Sequence, residues 1–275
     1  MDKYINRINE TANFIKEQID FEPEILMILG SGLGPLADEI ENPIVISYEK
    51  IPNFPVSTAI GHKGQLVMGN LEGKNVIVMQ GRFHYYEGYD MQEVTFPIRV
   101  MKKLGIENMI VTNACGGMNK NLYPGALMAI TDHINFMGDN PLIGKNHDEL
   151  GPRFPDMSNA YNKDLIDIAK KVAMKLDIEL KEGVYAAISG PYYFSRAELK
   201  MLRTIGGDTI GMSTVPETIV ANHSGMKVLG ISCVTDMAIA EEIESISGEE
   251  VLAVAKQTGP KFINLIRGIL NEVNL

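Results

Sequence analysis

Arg82, His84, Tyr86 and Glu87 fall within six residues, in Gly81-Arg82-Phe83-His84-Tyr85-Tyr86-Glu87-Gly88. A guanidinium offers a forked donor to phosphate oxygens and an imidazole adds another, so the segment has the makings of an anion clamp. Were it extended, alternate members would face one side. A solvated loop would also be polar, but two bracketing glycines and four polar side chains with little reason to be core favour a functional reading.

Two further segments could hold an anion. Gly30-Ser31-Gly32-Leu33-Gly34 presents backbone N–H groups and one hydroxyl. It is not a dinucleotide fingerprint, because Pro35 stands where a glycine belongs, nor a Walker A loop, which ends Gly-Lys-Ser/Thr. A plain tight turn is an equal reading. Gly211-Met212-Ser213-Thr214-Val215-Pro216-Glu217 reads as a strand end, capping hydroxyls and a helix opened by Pro and Glu. The same N-terminus could accept an anion. His62, in Gly61-His62-Lys63-Gly64, is a lone loop histidine that reads first as a surface residue. There is no HExxH or other metal-spaced cluster and no GxSxG around Ser31 or Ser213, which argues against a metal site and a serine hydrolase.

These segments need a frame that brings them together. Ile5, Ile8, Ala12, Ile15 and Ile19 follow helical spacing and predict an amphipathic helix over 3–20, stopped by Glu22 and Pro23. Short apolar runs at Ile25–Leu29, Val76–Gln80, Met109–Asn113, Leu127–Thr131, Val184–Ser189 and Val228–Ser232 suit buried strands. Helical patterns cover 92–104, 162–176, 196–205, 215–224 and 249–272. The alternation predicts an α/β fold, and no composition shift divides 1–275 into more than one domain. Four of the runs end in the glycine-rich or polar segments, where ligands of α/β sheets gather.

Composition agrees with a folded enzyme. The chain has 275 residues, 45% hydrophobic and 22% charged, with 25 Lys+Arg against 35 Asp+Glu for a net charge of −10. So acidic a chain, without a basic cluster, makes nucleic acid an unsuitable partner. Cys115 and Cys233 cannot form a disulfide framework, no run is apolar enough to span a membrane, and MDKYINRINE carries charges where a signal peptide needs an apolar core. A cytoplasmic protein is expected.

Taken together, Gly30–Gly34, Gly61-His62, Gly81–Gly88, Thr112-Asn113-Ala114-Cys115-Gly116-Gly117, Asp132-His133-Ile134-Asn135 and Gly211–Glu217 resemble the trimeric purine nucleoside phosphorylase family, which includes the 5′-methylthioadenosine phosphorylases. The resemblance spans about residues 25 to 260. It implies a single domain with a central mixed sheet flanked by helices, a homotrimer, and reversible phosphorolysis of purine nucleosides to free purine and ribose 1-phosphate. It implies no cofactor, phosphate being a co-substrate. By resemblance Ser31, Arg82, His84, Ser213 and the Ala114 N–H bind phosphate, with His62 at the edge. Tyr86 and Met212 line the ribose, Tyr193, Thr235 and Asp236 surround the base, and Phe154 is lent to a neighbouring subunit's site. Asp236 and His84 carry the chemistry, and Glu87 supports the pocket by hydrogen bonding.

Three positions depart from the inosine and guanosine branch. Asp236 stands where that branch has Asn; a protonated Asp donates to N7 and accepts from a 6-amino group. Phe194 replaces the Glu that accepts from N1–H, and Gly248 replaces the His that meets the ribose 5′-hydroxyl. These favour adenosine, 5′-methylthioadenosine or relaxed specificity, although water or another residue could stand in for the Glu. A non-catalytic nucleoside-binding protein would have no reason to keep Ser31, Arg82, His84 and Ser213 together, and a nucleoside hydrolase usually needs an aspartate cluster for metal, which is missing near the N-terminus.

Overall fold

The apolar runs become strands because each can be buried on both faces, and the amphipathic stretches become the helices that bury them. The structure is a computed structural model and describes residues 2–59, 61–242 and 247–273. In chain order the elements are α1 (Lys3–Lys16), β1 (Ile25–Ile28), β2 (Glu41–Ser47), β3 (Gln65–Leu71), β4 (Lys74–Gln80), α2 (Met91–Lys103), β5 (Asn108–Gly117), β6 (Leu127–Phe136), α3 (Lys163–Lys175), β7 (Leu180–Ile188), α4 (Arg196–Thr204), β8 (Thr209–Gly211), α5 (Val215–His223), β9 (Lys227–Met237) and α6 (Gly248–Glu272), with three short 3-10 turns.

All nine strands join one mixed sheet in the order β2-β3-β4-β1-β5-β8-β7-β6-β9. Strand β9 also pairs in parallel with β5, so β5, β8, β7, β6 and β9 close on themselves. The parallel pairs β1–β4, β1–β5 and β5–β9 aim their carboxyl ends the same way. That brings Gly30, Gly81, Ala114 and Thr235 to one end of the sheet.

Most predicted elements form, with three differences. Helix α1 ends at Lys16, short of Asp20. The hairpin β2–β3 was not anticipated. Its outer strand β2 is largely exposed, so it lacks the apolar run that marks the inner strands. Strands β5 and β6 run on past their apolar halves, β6 through Thr131, Asp132, His133 and Asn135, whose polarity hid the extension.

The β5–β9 register contains one irregularity. Cys115 pairs with Val234, but the next residue, Gly116, pairs with Asp236, so Thr235 is an extra residue forming a β-bulge. Residues of a regular strand alternate between faces, whereas Thr235 and Asp236 both line the same pocket.

Candidate active site

The pocket lies beyond the carboxyl ends of the strands, with a cavity volume of about 170 Å³, and is open to solvent on one side. One end is polar, with Ser31, Arg82, His84, Ala114 and Ser213. The other is walled by Ile188, Phe194, Leu199, Ile210 and Ala238, with Asp236 and Thr235 at its margin; Tyr86, Tyr193 and Met212 also line it.

The polar end is assembled from loops that follow β1, β4 and β8. Gly81 is the residue that lets two of them meet. Its φ is +117°, and a Cβ there would come 2.8 Å from the His62 Cβ. This close approach lets the Arg82 backbone N–H donate to His62 Nδ1 at 3.0 Å. His62 Nε2 therefore carries the proton and donates to Ser31 Oγ at 3.2 Å. Burial, then the nearby His84 and Arg82, lower the His62 pKa to about 4, so the ring is neutral at pH 7. His62 is absent from the pocket wall and lines a neighbouring cavity with Gly61, Lys63 and Leu252. It orients Ser31 from behind rather than lying on the surface.

Residues 85–87 form a 3-10 turn, so the segment is not extended through Glu87. The turn returns the Glu87 carboxylate to His84, whose backbone N–H and Nδ1 meet Oε1 at 2.7 and 3.0 Å. Oε2 accepts from the backbone N–H and hydroxyl of Thr58. Burial opposes the charge, but these hydrogen bonds outweigh it and pull the Glu87 pKa down to about 2. Glu87 does not line the pocket; it acts through His84, against whose ring Tyr86 stacks at 4.7 Å.

Arg82 is 2% exposed. Its Nη1 donates to Ser213 Oγ at 2.7 Å and Thr214 Oγ1 at 3.3 Å, and its Nη2 to the carbonyls of Thr112 at 2.6 Å and Ile28 at 3.5 Å. The guanidinium thus brings positive charge to the pocket while its fork is committed to protein acceptors. Ser213 and Thr214 do not cap α5, contrary to expectation: Thr214 is the N-cap residue but makes no capping bond. Its hydroxyl is taken by Asn113 Nδ2 at 2.9 Å and by Arg82. The Thr214 and Ser213 hydroxyls lie 3.2 Å apart, and Ser213 lines the pocket. Asn113, Thr214 and Glu217 are the members of this network that the sequence did not single out as chemistry. The one signal was an Asn ending an otherwise apolar strand.

At the other end Asp236 accepts from the Thr235 hydroxyl at 2.9 Å. Burial raises its pKa, with the Thr235 bond opposing. Phe194 is packed with Leu199 and Ala238, between Tyr192 and Phe136. Phe154 is 88% exposed and outside the pocket, with Arg153 over its ring at 5.8 Å. Gly248 opens α6 with free space where a side chain would begin, one turn before Val251, which does line the pocket. Among the described residues no group of three His, Cys, Asp or Glu is arranged to hold a metal, and no helix is long and apolar enough to cross a membrane. Cys115 and Cys233 are free and buried.

A phosphorylase superfamily model matches residues 24–271. The chain belongs to that superfamily. It is 57% identical to purine nucleoside phosphorylase 1 of Bacillus subtilis over 97% of this chain and 98% of that one. It is 44% identical to bovine purine nucleoside phosphorylase, over 94% and 92%. Among solved structures, isoform 2 of purine nucleoside phosphorylase from Schistosoma mansoni, in complex with cytosine and ribose-1-phosphate, superposes with a TM-score of 0.94 at 45% identity, covering 98% of this chain and 97% of that one. A Schistosoma mansoni purine nucleoside phosphorylase in complex with adenosine gives 0.94 at 41% identity, covering 98% of both chains.

Proposed function

We propose that this chain is a purine nucleoside phosphorylase, cleaving the nucleoside with inorganic phosphate to release free purine and ribose 1-phosphate. The observation that carries the reading is the polarity of one pocket: hydroxyls and an imidazole backed by a buried guanidinium at one end, and an apolar cleft holding a carboxyl of raised pKa at the other.

Ser31, His84, Ser213 and the Ala114 N–H hold the phosphate, with Arg82 supplying charge behind them. As the purine leaves, positive charge builds on the ribose ring, and a phosphate held close to C1′ stabilises it. Because the nucleophile is bound rather than covalently attached, orientation does the work a protein nucleophile would otherwise do. Tyr86 and Met212 border the ribose, and Tyr193 and Thr235 border the base. Asp236 is the general acid: burial raises its carboxyl pKa, and in its protonated form it donates to purine N7 and accepts from an exocyclic amino group. Phe194 leaves the N1 edge facing an apolar wall, which suits a 6-aminopurine and penalises one carrying N1–H.

A 5′-methylthioadenosine phosphorylase is the second reading, favoured by Gly248, which stands where the inosine and guanosine branch has the His that meets the ribose 5′-hydroxyl. Phe154, exposed here, completes the site of a neighbouring subunit in a homotrimer, and the protein works in the cytoplasm without a cofactor.

Base release from inosine, guanosine, adenosine and 5′-methylthioadenosine, each with and without phosphate, tests the reading. Phosphate-dependent cleavage of the 6-amino substrates supports it in full. Cleavage of inosine and guanosine alone keeps the reaction and removes the roles given to Asp236 and Phe194. Release indifferent to phosphate makes the protein a hydrolase, and no release makes it a binding protein.

A further inference from the structure

Thr214 adopts φ 74° and ψ −47°, a backbone conformation that β-branched residues rarely occupy. Across it the Val215 N–H donates to the Ser213 carbonyl at 2.8 Å, closing a three-residue γ-turn of the strained hand. Such a turn persists only where its surroundings over-determine it. Here they are the bonds from Asn113 and Arg82 to the Thr214 hydroxyl. Arg82 can serve the turn only if its guanidinium is held in one rotation about its long side chain.

The other edge of that guanidinium faces Glu217. Its Oε1 lies 3.4 Å from Arg82 Nε, and both side chains are almost wholly removed from solvent. Neither Glu217 carboxylate oxygen has a hydrogen-bond partner among the described residues, and neither does Arg82 Nε. A buried carboxylate without hydrogen bonds is costly, and a leucine would fill the first turn of α5 without that cost. Its relation to Arg82 is what distinguishes it from a packing residue.

We propose that Glu217 is a positioning residue for the phosphate end: its carboxylate fixes the rotation of the Arg82 guanidinium, and Arg82 in turn locks the Thr214 turn that presents the Ser213 hydroxyl. The inference rests on the phosphorolysis reading. It predicts that Glu217 governs phosphate and leaves the base alone, although it touches neither.

The test is steady-state base release by wild type, Glu217→Gln and Glu217→Asp, with phosphate and nucleoside varied separately. Glu217→Gln should raise the phosphate KM about tenfold or more while the nucleoside KM stays within about twofold. Glu217→Asp keeps the charge but shortens its reach, so it should fold and give an intermediate phosphate KM. A second readout needs no turnover: phosphate raises the melting temperature of the wild type by mass action, and Glu217→Gln should lose most of that rise. Equal shifts in both KM values would overturn the proposal. So would an unchanged phosphate KM in Glu217→Asp, even should Glu217→Gln fail to fold. Wild-type release that ignores phosphate would instead sink the phosphorolysis reading itself.

Discussion

One oxygen of Glu87 serves His84 twice, accepting its backbone N–H at 2.7 Å and facing its ring Nδ1 at 3.0 Å. The pairing fixes the imidazole so that Nδ1 donates to the carboxylate and Nε2 is the nitrogen left for a ligand. Glu87→Gln weakens this hold, and the phosphate KM should rise about tenfold. The same variant carries a stability signature. A carboxylate whose folded pKa is about 2 contributes stability that is fully present above its ordinary value of 4.5 and lost as pH falls toward 2. Between those limits Glu87→Gln should lose less stability than wild type in denaturant titrations. Identical acid limbs would show that the bonds do not stabilise the folded state.

His62 has the opposite charge logic and a different window. It is buried neutral with a pKa of about 4, so its contribution is complete above 6.5 and disappears as pH falls from 6.5 to 4. His223, also lowered to about 4, behaves alike. His133, lowered by burial, adds to the same slope, so His62→Gln should flatten part of it, measured by urea unfolding at several pH values. An unchanged slope would assign the whole of it to other groups.

Base selectivity should follow two positions. Asp236→Asn together with Phe194→Glu should raise the inosine-to-adenosine ratio of kcat/KM by about a hundredfold or more. Phe194→Glu alone puts a carboxyl among Leu199, Ala238 and Tyr192 with nothing to pair it, so its melting temperature should fall. Should the double variant keep the wild-type ratio, selectivity lies elsewhere in the pocket.

Arg82→Ala should do two things at once. Loss of the guanidinium removes the charge behind the phosphate, so the phosphate KM should rise far more than the nucleoside KM. It also strands Glu217 in the interior, which should cost about 3–5 kcal/mol of stability. Equal effects on both substrates would count against a phosphate end at Arg82.

Phe154 allows a complementation experiment. Phe154→Ala and Asp236→Ala proteins should each be weak alone. If each site needs its own Asp236 and its neighbour's Phe154, mixing the two after reversible dissociation should restore activity. Recovery absent from the mixture would place both groups in the same subunit's site or outside catalysis altogether.

The sequence was most readable where chemistry interrupts an apolar run. Strand β4 runs into Gly81-Arg82, and β5 turns from Met109–Val111 to Thr112 and Asn113 midway, so these breaks in apolar runs announced the pocket. Strand β2 did not announce itself, because an exposed edge needs no apolar stripe. The Arg82, Thr214 and Glu217 network was hidden for another reason. Glu217 has the look of an ordinary first-turn acid, favourable at any helix N-terminus. Only the approach of α5 to the loop after β4 turns that residue inward. The burial of His62 was hidden likewise, since nothing in Gly61-His62-Lys63-Gly64 records that the Arg82 backbone will close over it.

The extra residue in β9 separates two demands that a regular strand would tie together. Val234 belongs to the buried core, and strict alternation after it would send Thr235 and Asp236 to opposite faces. The bulge turns both toward the cleft. Position 236 can therefore be exchanged without repacking the layer behind the sheet, while a one-residue deletion there would swing it out of the pocket altogether. Variation at this site is open to point substitution and closed to changes of length, so substrate range can diversify on an unaltered scaffold.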